Sequence, residues 1–319
     1  MAKIHVIKLN ILFVTLLLLW SQIASSDSAI KVPDSSGKTF TLNQPARRII
    51  SLAPHITELL FAVGAGQWVA GTVEFSDFPK KAHLIKRIGN HQSQDLEQIL
   101  SLNPDLILAW DGGNSAASID KFRGMGIPVY LSTANSLKDI AALLRRFALL
   151  TGVGDRGEEV ASHFERILNE LRVKYSARPE VRVFYQVWDR PLMTINGKHY
   201  ISDVIKLCGG KNVFSDARVL SPVVGREAVI EARPEVIFVN ATGKQSSTWL
   251  HDWKKWQQIP AVRNNQLYGI KPYTIARPTP RILMGAKKVC RILEKVRKNN
   301  RGKLPRLLNH ATKIVSPVK

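Results

Sequence analysis

Between residues 48 and 131 short apolar runs alternate with stretches whose apolar positions recur every three or four residues, the pattern of strands and one-faced helices in turn. Arg48–Ala53 (RIISLA) reads as a buried strand, and Pro54–Gly64 (PHITELLFAVG) as a helix stopped by its glycine. Val69–Val73 is the next strand. Asp95–Leu102 is a helix ended by Asn103-Pro104, and Leu106–Trp110 is a strand. A helix from Ala117 to Met125 and a strand over Pro128–Leu131 follow. The crossings between strands are long enough for right-handed connections, which predicts a largely parallel sheet.

The second half repeats the scheme, with a strand at Val181–Gln186, helices at Tyr200–Leu207 and Arg226–Ala232, and a strand at Val236–Asn240. One segment is repeated in detail. Asp95-Leu-Glu97 through Asn103-Pro104 echoes Gly225-Arg-Glu227 through Arg233-Pro234, each glutamate standing seven residues before a proline that precedes a strand. Such a long-range echo predicts two similar lobes rather than a solenoid. Between them, Leu137–Leu150 is amphipathic and breaks at Thr151-Gly-Val-Gly154. Arg156–Tyr175 then places Val160, Phe164, Ile167, Leu168 and Leu171 on one helical face. Twenty helical residues span about 30 Å, the width of a lobe. The predicted fold is therefore α/β: two Rossmann-like lobes with parallel-rich sheets, joined by a single long helix, with a ligand cleft that closes only modestly.

The ends add a compartment. Lys3 and Lys8 precede an apolar run from Ile11 to Trp20, followed by the small residues Ala24, Ser25 and Ser26. A ten-residue core, apolar but for Thr15, suits a cleaved secretory signal better than a membrane span, so the periplasm is the expected location. The expected organisation is a signal over 1–26, an N-terminal lobe over 27–154, a linking helix over 155–176, a C-terminal lobe over 177–295 and a basic, unstructured tail over 296–319. The formal charge of +21 raises the question of nucleic acid. Seven of those cations lie in the tail, and the rest are scattered among acids without a basic stripe, so no nucleic-acid partner is expected. The tail is either a solvated end or attracted to anionic lipid. Two cysteines, Cys208 and Cys290, are expected to pair in an oxidising compartment. Their bridge would close a loop of roughly 80 residues, worth about 4–5 kcal/mol of chain entropy.

No motif assembles a nucleophile with a base, a phosphate loop or a zinc helix, so an enzyme is not expected, nor a cofactor. His55 and Glu58 lie one helical turn apart, which reads as a helix start with an early acid rather than as a metal pair. What recurs is aromatic and polar residues just after strands, where open α/β sheets bind ligands. These are Phe75, His91, Trp110 with Gly112 and Gly113 behind it, Trp188 with Asp189, and Tyr273. Together they predict a flat-walled cleft for a large planar ligand.

At these residues the chain resembles the cobalamin-binding proteins of ABC importers, within the wider group of helix-linked metal-chelate receptors. The likeness runs from about Arg47 to Leu293. It is most specific at Ser51-Leu-Ala-Pro-His-Ile-Thr-Glu-Leu-Leu-Phe-Ala-Val-Gly64, at Asp95-Leu-Glu97 through Trp110-Asp-Gly-Gly-Asn114, and at Val183-Phe-Tyr-Gln-Val-Trp-Asp-Arg-Pro-Leu-Met-Thr-Ile-Asn-Gly197. Leu207-Cys-Gly-Gly-Lys-Asn-Val-Phe214 and Pro280-Arg-Ile-Leu283 match as well, and the cysteines fall where that family carries its disulfide. The resemblance implies a monomer that carries cobalamin as transported ligand to the membrane permease subunits of an ABC importer. It also implies that Glu97 and Glu227 dock on arginines of those subunits, one per lobe. Two acids on equivalent lobes suit two copies of one basic pocket. Trp110 matches a pocket tryptophan; Phe75 stands where well-known members have tyrosine, His91 where tryptophan or tyrosine is common, and Ser221 where some have tryptophan. His91 is expected to hydrogen-bond a corrin amide, with axial ligation of cobalt as the alternative. The rival cargo on the same fold is haem, for which His91 and Tyr273 offer ligand types, or an iron siderophore, which would want a cluster of arginines.

Overall fold

The computed structural model describes residues 29–241 and 243–301. The expected signal over 1–26 and the tail beyond 301 lie outside them. A short antiparallel hairpin, β1 (Ile30–Pro33) with β2 (Thr39–Leu42), leads into the first lobe. There β3 (Ile49–Ser51), β4 (Val69–Thr72), β5 (Lys86–Arg87), β6 (Leu106–Trp110) and β7 (Val129–Ser132) form one parallel sheet in the order β5-β4-β3-β6-β7. Its helices are α1 (Pro54–Ala62), α2 (Leu96–Ser101) and α3 (Ala116–Gly124). Helices α4 (Leu137–Leu150) and α5 (Gly154–Tyr175) follow. The second lobe is a parallel sheet of β8 (Val181–Gln186), β9 (Gly210–Asn212), β10 (Val236–Asn240) and β11 (Leu267–Ile270), ordered β11-β10-β8-β9. It is covered by α6 (Tyr200–Leu207), α7 (Arg226–Glu231), α8 (Gly243–Trp253), α9 (Pro260–Arg263) and α10 (Ile282–Arg301).

The two-residue alternation of the strands decides which layer each side chain joins. On β6, Ile107 and Ala109 pack toward α2 and α3 with Ile50, Ile99 and Phe122. Leu106 and Leu108 pack the other way, into a cluster that also holds Leu144 and Phe147 of α4, Phe164 and Leu168 of α5, Val204 of α6, Phe238 of β10 and Leu293 of α10. That cluster runs without a break from one lobe to the other. The helices beneath both sheets therefore form a single apolar floor rather than two separate cores. Ser136 and Asp139 close a capping box that starts α4, and the Leu137 N–H donates across the lobes to Asp203 of α6. Where α4 meets α5, a Cβ at Gly157 would stand 2.1 Å from Cβ of Ala148, so only glycine permits this approach. Arg145 of α4 then bridges Glu158 and Glu165 of α5 at 2.7 and 2.8 Å.

The internal echo is structural. Asn103 and Arg233, each just before the proline, hold left-handed backbones with φ of 45° and 44°. Arg48 at the start of the first lobe's central strand donates to the carbonyl of Leu102, and Arg182 at the start of β8 donates to that of Ala232. Asp105 caps the Arg48 N–H and Glu235 the Arg182 N–H. The bridge between Cys208, at the end of α6, and Cys290 of α10 is present. The tail boundary read at residue 296 needs correction. Helix α10 runs on to Arg301 with Val296 fully buried, and Arg297 donates to the carbonyls of Pro179, Cys208 and Gly209. The density of cations marked an end there, but Val289, Leu293 and Val296 continue the apolar face of the helix at spacings of four and three.

Candidate functional site

A cavity of about 460 Å³ lies between the lobes. The first lobe contributes Pro54, His55, His91, Trp110, Asp111 and Gly112 to its lining, and the segment entering α4 adds Thr133 to Asn135. The second lobe faces these with His199, Tyr200, Leu220, Ser221 and the run Ala276 to Pro278.

The first wall is organised around Trp110. Asn114, buried behind it, accepts from the Trp110 N–H at 2.6 Å and donates to the carbonyls of Leu52 and His91 at 3.0 and 2.6 Å. One amide thus ties together the ends of β3 and β6 and the His91 loop. The indole lies over Gly113, where a Cβ would come within 2.0 Å of its ring. His55 meets the indole edge-on with centroids 5.3 Å apart, and His91 sits 6.3 Å away, tilted. His55 is 6% exposed, and burial, with the charge of Arg277 adding to it, lowers its pKa to about 3.

The second wall is built differently. Tyr200 opens α6 and donates its hydroxyl to the carbonyl of Ala276 at 2.8 Å, and burial pushes its pKa well up. His199 caps the same helix, its Nδ1 accepting from the Ile201 N–H at 3.1 Å, and burial holds it down to about 4. Arg277 reaches across to the first lobe. Its guanidinium donates to Glu58 at 2.8 Å, to Asp77 at 2.6 Å and to the carbonyl of Phe75 at 2.9 Å. Arg281 adds bonds to both oxygens of Glu58, the one from Nε at 2.9 Å. Glu58, with a side chain 2% exposed, is thus the centre of an ion cluster that joins the lobes and not an acid serving the dipole of its own helix. The loop carrying Phe75 and Asp77 is fixed from below by Ser76, which ends a buried chain of hydroxyls through Thr72 and Thr57 to Ser51.

Of the residues read from the sequence, His91, Trp110 and Gly112 line the cavity, as does Ser221. Gly113 supports the indole instead. Phe75, 74% exposed and left-handed at φ 63°, and Tyr273, 44% exposed on a turn, flank the inter-lobe arginines, with Arg281 5.8 Å from the Tyr273 ring and 4.0 Å from that of Phe78. Trp188 and Asp189 are not in the lining. Trp188 packs edge-on against Trp249, and Asp189 accepts from Gln186. Glu97 and Glu227 are both exposed, in the first turns of α2 and α7, and neither carboxylate has an ion-pair partner among the described residues. Sequence reasoning missed His199, Tyr200 and Arg277 as lining and gave His55 a structural part. No group of three or more metal-binding side chains occurs among the described residues.

A model of the periplasmic binding protein family matches residues 49–274. The vitamin B12-binding protein of Vibrio parahaemolyticus serotype O3:K6 is 37% identical over 256 residues, 80% of this chain and 92% of that protein. The protein of the same description from Vibrio cholerae serotype O1 is 38% identical over 251 residues, 78% of this chain and 90% of its own. The crystal structure of the periplasmic vitamin B12 binding protein BtuF of Vibrio cholerae shares the fold with a TM-score of 0.73 at 37% identity, covering 80% of this chain and 99% of that one. At 24% identity and a TM-score of 0.68, the periplasmic heme-binding protein RhuT from Roseiflexus sp. RS-1 has the same architecture over 79% of this chain and 99% of its own.

Proposed function

Because the chain belongs to the periplasmic binding protein family, we propose that it works as a monomer in the periplasm, binds vitamin B12 between its lobes and delivers it to the permease subunits of an inner-membrane ABC importer. The observation that carries the reading is the cavity itself. It is shared by both lobes, has a tryptophan as its flattest wall, and sits in a chain more than a third identical to proteins described by that ligand. A corrin ring stacks its apolar face on Trp110, and its peripheral amides meet polar groups around the wall. His91 hydrogen-bonds one such amide, and Gly112 lets the chain pass close beneath. Phe75 and Tyr273 cover the rim. Trp188 and Asp189 contact only the part of the ligand that protrudes. The chain performs no chemistry on its cargo.

Glu97 and Glu227 are the docking residues, one on each lobe, and their freedom from internal partners leaves both charges available to a basic surface. The double variant Glu97→Ala with Glu227→Ala is expected to bind the ligand as the parent does and to fail in transport, measured by uptake of labelled cobalamin into cells. Normal uptake sinks the docking assignment. The test of the cargo is calorimetric titration of the purified protein with cyanocobalamin and, in parallel, with haem. Tight one-to-one binding of cyanocobalamin supports the reading, and binding of haem alone overturns it.

A further inference from the structure

Resting on the cobalamin reading, we infer that the cavity selects a macrocycle whose periphery is amidated over one that carries free carboxylates. His55, packed against Trp110, is the residue that meets a carboxamide.

The first ground is an unpartnered side chain. His55 is more than nine-tenths buried and lines the cavity, yet neither of its ring nitrogens has a hydrogen-bond partner among the described residues. A donor and an acceptor left open on a cavity wall are available to a polar group of a ligand. A metal-bound imidazole is normally oriented by a second hydrogen bond to its other nitrogen, and His55 has none. A neutral imidazole offers one donor and one acceptor. A carboxamide can meet either nitrogen, donating to the one or accepting from the other, whereas a carboxylate can only accept.

The second ground is charge. His199 spends Nδ1 on the Ile201 N–H, so its remaining proton sits on Nε2, a neutral donor that has no partner among the described residues. Burial keeps both imidazoles uncharged well below neutral pH. The cavity's charged lining is limited to Asp111 and Arg277, and Arg277 is already paired with Glu58 and Asp77. In a chain of formal charge +21, the lining thus presents no unpaired lysine or arginine to a ligand. A carboxylate entering such a site would be desolvated without a counter-charge, and it would face Asp111.

The experiment uses the separated monocarboxylic acids made by hydrolysing single peripheral amides of cyanocobalamin. Each changes one amide to an acid and leaves the corrin face intact. At least one isomer is expected to bind about tenfold or more weaker than cyanocobalamin at pH 7. His55→Phe is expected to weaken cyanocobalamin and to shrink that ratio, and His55→Gln, which restores a donor and an acceptor, to recover it. Asp77→Asn, which leaves Arg277 with one counter-charge fewer, is expected to narrow the ratio from the acid's side by tightening the acid. If all isomers bind within twofold of cyanocobalamin, the inference fails while the cargo reading stands. If neither cyanocobalamin nor any acid binds, the cargo reading falls and takes the inference with it.

Discussion

On the first lobe's side of the cleft, two cavity-lining residues stand just where strands end: Trp110 is the last residue of β6, and His55 follows β3 by four positions. On the other side Trp188, which follows β8, is turned away onto Trp249, and the wall is made by the start of a helix and a loop, His199 with Tyr200 and Ala276 with Arg277. The two lobes repeat one plan in their strands, helices and even their left-handed residues, but not in how they line the cavity. Shared architecture therefore fixes where a cleft opens, while each wall is furnished independently. The first wall holds its aromatic through a buried amide, Asn114; the second holds its own through Tyr200 and binds itself to the first through arginines.

The largest expected effect comes from cutting the tie between the walls. Glu58→Gln leaves Arg277 and Arg281 facing each other across a partly buried site and should lower unfolding stability by about 3 kcal/mol, read from urea denaturation. An unchanged midpoint would mean that the lobes do not depend on that cluster. Next is the first wall alone. Trp110→Ala is expected to weaken cyanocobalamin by about 2 kcal/mol or more while the unfolding midpoint moves little by comparison. If Leu220→Ala matches it, the walls are energetically alike and the contrast is lost.

The buried histidines sharpen the comparison through pH. Both have folded pKa values below the unfolded value of 6.5, about 3 for His55 and about 4 for His199, so the unfolded chain takes up protons that the folded one refuses. Their contribution to stability is intact above pH 6.5 and falls as the pH drops toward 4, by up to about 1 kcal/mol per pH unit for each. Thermal scans of His55→Phe and His199→Asn should show a shallower acid slope than the parent, and an unaltered slope would assign the acid sensitivity elsewhere. The smallest effect is expected from Tyr200→Phe. It keeps the ring and removes only the bond to Ala276, worth about 1 kcal/mol in the same scans.

Much of the fold was legible because apolar periodicity is a local signal. Leu106–Trp110, Leu137–Leu150, Val181–Gln186, Tyr200–Leu207 and Val236–Asn240 coincide with their elements to the residue. Strands β1, β2, β5, β9 and β11 and helices α8, α9 and α10 were not anticipated: short stretches carry little periodicity, and the cations of α10 masked its apolar face. The first wall was half readable: an aromatic ending a strand is a recognisable position, and Trp110 and His91 do line the cavity. Its other half, and most of the second wall, were hidden for physical reasons. His55 looked like a helix start because nothing in Pro-His-Ile-Thr-Glu reveals that the turn is buried. Arg277 lies more than two hundred positions from Glu58, and no local pattern announces an ion pair closed by tertiary packing. Trp188 and Tyr273 were read from position alone, and position does not say which way a ring turns.

The apolar floor that passes unbroken beneath both lobes has a mechanical meaning. A pair of bodies on extended strands bends at the joint, and ligand escape follows the swing. Here any opening must shear Leu144, Phe164, Phe238 and Leu293 past one another, so the molecule behaves as a stiff spring with a short stroke. Little of the binding energy is then converted into movement, and spontaneous release waits for contacts to break in place. On the proposed docking through Glu97 and Glu227, unloading such a carrier would be work done on it from outside, at both lobes at once.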